Sequence, residues 1–141
     1  MSRLIPGIIM TTTWVLVLVA GPPFLFWLLI LATSVLGLRE YVKMTVPVPD
    51  NLSLAICLAV GVLPVFGALV PGEMNVQPLT FISLLGVIVY GIVTYSRVEN
   101  GLRFISSLCF GVLYIPFCLA QMVMIRFLPQ GVGWLLVLTA V

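Results

Sequence analysis

Two short stretches hold six of the ten charged side chains. Arg39, Glu40 and Lys43 make up one, and Arg97, Glu99, Asn100 and Arg103 the other. Guanidinium and ammonium groups bind phosphate oxygens through charge-assisted hydrogen bonds, so Arg39, Lys43, Arg97 and Arg103 are candidates to hold a lipid phosphate. The same residues also suit a second role, as topology determinants paired with neighbouring acids and anionic lipids, and both readings stand on the sequence.

Other chemistry lacks its parts. There is no Asp pair to hold a metal, no Gly-rich phosphate loop with a following Lys, no His, and no Ser or Cys beside a plausible base. Cys57, Cys109 and Cys118 lie inside apolar runs without C-x-x-C spacing and read as small packing residues. A net charge of +2 with scattered basic residues excludes nucleic acid as a partner. No catalytic, cofactor-binding or metal-binding position can be assigned, and no cofactor is expected from this chain's own residues.

The elements that must position those cations are set by where charge is absent. No charged residue occurs from Leu4 to Leu38, Leu52 to Gly72, Met74 to Ser96, Phe104 to Ile125 or Phe127 to Val141. With 62% hydrophobic and 7% charged residues, the chain cannot give its helices the polar faces that a water-soluble fold of this size requires. The expected fold class is all-α, a polytopic bundle of membrane-spanning helices. Met1-Ser2-Arg3 is read as the start of a retained helix, since no small-x-small cleavage site precedes the next apolar run.

Residues 4 to 38 would reach roughly 50 Å as one helix, against a hydrocarbon core of about 30 Å, so the run must break. Gly21-Pro22-Pro23 supplies the break, because two consecutive prolines remove two backbone donors and disfavour helix before them. The spans expected are 4–20, 24–38, 52–70, 79–95 and 104–125, with an incomplete sixth at 133–141. Pro64 and Pro116 should kink the third and fifth, and their wholly apolar surroundings suit packing rather than ion ligation. The second helix is expected to extend into the charged loop 39–51.

In this layout Arg3, Arg39, Lys43, Arg97 and Arg103 share the side of the amino terminus, and Arg126 alone falls on the other. That bias places the amino terminus in the cytoplasm. Trp27 and Trp134 then sit near the outer interface and Tyr41 and Tyr95 near the inner one, as an aromatic belt would. Gln121 lies at the outer end of the fifth helix, where it can snorkel or bond a neighbouring helix. Thr33-x-x-x-Gly37, Ala55-x-x-x-Ala59 and Ser107-x-x-x-Gly111 would let helices approach closely.

The order of four stretches resembles the bacterial phosphatidate cytidylyltransferases, or CDP-diacylglycerol synthases. These are Arg3-Leu4-Ile5-Pro6-Gly7, Gly37-Leu38-Arg39-Glu40-Tyr41, Phe110-Gly111-Val112-Leu113-Tyr114-Ile115-Pro116 and Gly133-Trp134-Leu135-Leu136-Val137-Leu138. The motifs are apolar and individually unspecific, and the set carries the resemblance. It implies an integral protein of the bacterial inner membrane whose parent enzyme joins CTP and phosphatidic acid with magnesium, releasing diphosphate. It also implies that this chain is the amino-terminal membrane portion, inactive alone, with the acidic metal-binding half absent. The alternative reading is a small non-catalytic polytopic protein, a homo-oligomeric carrier or interaction subunit.

Overall fold

The computed structural model describes residues 12, 14–45, 51–69, 75–95 and 100–140. All regular structure among the described residues is helical. Helix α1 covers 14–20, followed by α2 Pro23–Thr45, α3 Asn51–Gly61, α4 Leu63–Gly67 and α5 Val76–Thr94. Helix α6, Gly101–Val112, then runs through a π turn at Leu113–Phe117 into α7, Cys118–Arg126, and α8 covers Gly131–Ala140.

Three helical stretches are long and apolar enough to cross a membrane: Pro23–Thr45, Val76–Thr94 and the continuous Gly101–Arg126, of 23, 19 and 26 residues. At about 1.5 Å per residue even the shortest nearly matches a hydrocarbon core of about 30 Å. Most of the expected first span, 4–20, lies outside the described residues. The expected sixth is the ten-residue α8.

Each proline acts differently. Helix α1 closes with the Gly21 N–H donating to the Val17 carbonyl at 3.0 Å. Pro23 then occupies the first position of α2, where a missing N–H costs nothing. The expected kink at Pro64 is instead a full restart. Helix α3 stops at Gly61, and Pro64 stands in the first turn of α4, as its lack of a donor requires. At Pro116 the helix widens into the π turn, and the Cys118 thiol donates to the Leu113 carbonyl at 3.5 Å.

Helix α2 is the central element, packing against α3, α4, α6, the π turn and α7, while α5 closes the other side against α3, α4 and α6. Its buried stripe, Phe26, Ile30, Ser34, Leu38 and Val42, repeats every four residues. Phe104, Leu108, Val112, Ala120 and Val123 form the matching buried stripe along α6 and α7. Only 33%, 28% and 33% of the three long stretches is buried, so their outer faces are as apolar as their inner ones and require lipid as solvent.

Candidate functional site

Two contacts at opposite ends of α2 establish how the basic residues are distributed. Near its carboxy end, the Tyr41 hydroxyl donates to the Ser107 carbonyl in α6 at 3.1 Å. At its start, Arg126 Nη2 donates to the Gly21 carbonyl at 3.0 Å. Helix α2 therefore runs antiparallel to the α6–α7 rod. The carboxy end of α5 joins the start of α6, where Tyr95 packs on Gly101. Arg39, Lys43 and Arg103 consequently share one end of the bundle, all three exposed. Arg97 and Glu99 lie outside the described residues.

Neither Arg39, Lys43 nor Arg103 forms an ion pair among the described residues, although Glu40 stands next to Arg39 on the same exposed surface. Long cationic side chains at the end of a membrane helix reach the headgroup layer, where anionic oxygens concentrate. Among the described residues this end presents three exposed cations of the type that bind phosphate oxygens.

The helix register beneath the cations rests on one ring. Gly111 lacks the Cβ that would stand 2.7 Å from Tyr41 Cε1, so the Tyr41 ring lies flat on α6 while its hydroxyl reaches Ser107. The Ser107-x-x-x-Gly111 spacing thus admits an aromatic ring rather than a neighbouring backbone. In contrast, Ala55 and Ala59 are exposed, and Thr33 bonds back to the Leu29 carbonyl at 2.9 Å. Phe110 continues the aromatic surface, 6.5 Å from Tyr41 and stacked on Tyr114 at 5.5 Å.

The opposite end is closed by Arg126. Its guanidinium lies 5.9 Å from the Phe26 ring centre and bonds the Gly21 carbonyl, while its Nε is buried without a partner. Just past the end of α1, the Gly21 carbonyl thus accepts from a cation of α7. Sequence reasoning placed Arg126 at the outer interface and missed this contact, since nothing local signals a bond spanning 105 residues. Trp27, only 7% exposed, turns into the bundle and donates its indole N–H to the Val65 carbonyl at 2.9 Å. Trp134 and Tyr95 are exposed. Gln121 is half-buried and has no protein partner among the described residues.

The interior is apolar except for a few hydroxyls. Ser83 donates to the Val60 carbonyl at 2.7 Å, whereas Ser34 Oγ and the Tyr90 hydroxyl are buried without partners. The cysteines are free: Cys57 is buried, Cys109 half-buried and Cys118 exposed.

Against this geometry, the model of the cytidylyltransferase family matches residues 1–141. No curated protein and no solved structure matches the chain. The chain belongs to the cytidylyltransferase family, that of the phosphatidate cytidylyltransferases, and with its three long apolar helices it is an integral membrane protein. Magnesium, which the resemblance implies, takes several oxygen ligands in octahedral array. Among the described residues no three His, Cys, Asp or Glu side chains come together, and Glu40 is the single carboxylate, so these residues do not fit the ion.

Proposed function

We propose that this member of the family is the amino-terminal membrane portion of an enzyme that makes CDP-diacylglycerol from CTP and phosphatidate. In that reaction a phosphate oxygen of phosphatidate attacks the α-phosphorus of CTP, and the bond to the β-phosphate breaks, releasing diphosphate. The observation that carries the reading for this chain is the shared placement of exposed Arg39, Lys43 and Arg103 at one end of the bundle. There they hold the lipid phosphate and offset its charge against an approaching triphosphate. Arg97, which falls between α5 and α6 in sequence, is a further candidate by residue type alone. The helices beneath them act as scaffold, and the carboxylates that magnesium needs come from outside the described residues.

The cation excess at that end supports a cytoplasmic amino terminus and CTP-facing surface, in keeping with a protein of the bacterial inner membrane. Five spans and a sixth begun at α8 satisfy this arrangement, with α3 and α4 together forming a broken third crossing. The lipid substrate is membrane-resident and the nucleotide water-soluble, so a polytopic protein with a basic inner rim suits both.

The test is conversion of radiolabelled CTP and phosphatidic acid to CDP-diacylglycerol, with magnesium, by membranes carrying either the 141-residue chain or the product of the complete reading frame. Activity with the complete product alone supports the scaffold role. Activity in the 141-residue chain would show that it holds an active site the described residues do not reveal. Silence in both would favour the non-catalytic, homo-oligomeric alternative.

A further inference from the structure

We propose that Tyr41 is a positioning residue for lipid phosphate, holding the cations of α2 and α6 at one spacing through its bond to Ser107 and its seat on Gly111. The inference rests on the reading of Arg39, Lys43 and Arg103 as phosphate contacts. Those cations come from two helices that are distant in sequence, and a phosphate held between them feels any sliding or rotation of one helix against the other. Packing and interhelical hydrogen bonds together resist such motion.

Tyr41 contributes to both. Its hydroxyl bonds a single carbonyl, Ser107 O, 66 residues away at 3.1 Å. Its ring fills a notch that exists only because Gly111 has no side chain. On α2, Tyr41 lies between Arg39 and Lys43; on α6, Ser107 is one turn from Arg103. The hydrogen bond thus acts within about one turn of Arg39, Lys43 and Arg103 along their helices, with the notch one turn further along α6, and a directional bond fixes register. The Ser107 carbonyl is part of the α6 backbone, so the bond reports the helix position and not a movable side chain.

The test uses the product of the complete reading frame in phosphatidylcholine vesicles with stepped fractions of phosphatidate, and native mass spectrometry of phosphatidate binding as a second arm. Tyr41→Phe keeps the ring and removes only the hydroxyl. It should raise the half-saturating phosphatidate fraction roughly threefold to tenfold, the range for one lost hydrogen bond, with kcat and the KM for CTP unchanged. Gly111→Ala should move the same quantity in the same direction by displacing the ring. Combining Tyr41→Phe with Arg103→Gln should cost less than the two effects added, since both act on one contact. Gly133→Ala, a site with nothing within 4 Å, is the unchanged control.

A purely structural role would lower the folded fraction, and hence kcat, without moving the phosphatidate dependence; that result overturns the proposal. Wild-type protein that binds phosphatidate but never turns over would sink the cytidylyltransfer reading while leaving Tyr41 to be judged by binding. Equal phosphatidate binding by wild type and Tyr41→Phe overturns the Tyr41 proposal whatever the activity.

Discussion

Replacing Trp27 separates one interhelical hydrogen bond from the packing around it. The indole N–H reaches the Val65 carbonyl at 2.9 Å, and the ring meets Phe66 edge-on and Phe24 nearly face-on, each at 5.8 Å. Trp27→Phe removes the bond and part of the ring. The Val65 carbonyl still accepts from the Ala68 N–H at 3.3 Å, so no buried acceptor is orphaned and the full desolvation penalty does not apply. A single interhelical bond in a membrane contributes about 0.6 to 1.7 kcal/mol, and the smaller ring adds a fraction more, so the expected loss is about 1 to 2 kcal/mol. Trp27→Ala deletes the packing as well and should cost roughly 3 kcal/mol, the low end for aromatic truncation, because lipid replaces water as the reference solvent.

Cys57 is 3% exposed and free, which makes its alkylation a direct probe of bundle opening during titration with sodium dodecyl sulfate in mixed micelles. The two variants should become reactive in order, Trp27→Ala at the lowest fraction of denaturing detergent, then Trp27→Phe, then wild type. If both variants matched wild type, Trp27 would be a lipid-facing belt residue and its buried placement would be wrong. If Trp27→Phe were as damaging as Trp27→Ala, the division into bond and packing would fail.

Arg126→Met should lower the same midpoint by about 1 kcal/mol: a charged hydrogen bond to Gly21 and the contact with Phe26 are lost, partly offset by removing the unpartnered Nε. A more stable variant would show that burying the guanidinium costs more than its contacts return. Gly67→Ala places a Cβ 2.7 Å from the Asn75 carbonyl oxygen, which belongs to backbone and yields poorly, and a loss of about 1 to 3 kcal/mol is expected in the same titration. A wild-type midpoint would contradict this close approach of α4 to the start of α5. Arg39→Gln and Lys43→Gln should each weaken phosphatidate binding about fivefold and reduce its sensitivity to salt. Unchanged binding, with reversed membrane orientation, would assign these residues to topology alone.

Most of the helix punctuation was legible in the sequence. Gly21-Pro22-Pro23 breaks the first long run, and Pro64 and Pro116 each mark an irregularity, because proline's missing donor acts on its own turn whatever surrounds it. The kind of irregularity was not legible. Pro64 restarts a helix beside Trp27, whose indole takes up a carbonyl there, whereas Pro116 sits in a π turn packed against α2. Of the candidate site, the basic residues were visible by type, but the Tyr41 ring on Gly111 appeared only as a small-residue spacing and an interfacial tyrosine. Neither feature alone indicates the other.

From sequence alone came the solvent and the partition of charge. Long uncharged runs require lipid, and alternate connections place Arg39, Lys43 and Arg103 on one side, since transfer free energy and loop order are local properties of the chain. Tertiary structure decided which face of each helix turns inward, and with it the Tyr41–Ser107 register, the Arg126 cap on Gly21 and the burial of Trp27. A soluble helix announces its inner face by polarity. Apart from α6, whose exposed Arg103 and Ser106 oppose buried Phe104 and Leu108, these helices carry little such asymmetry, so rotation is settled by shape and a few directed hydrogen bonds that exist only once the bundle has assembled.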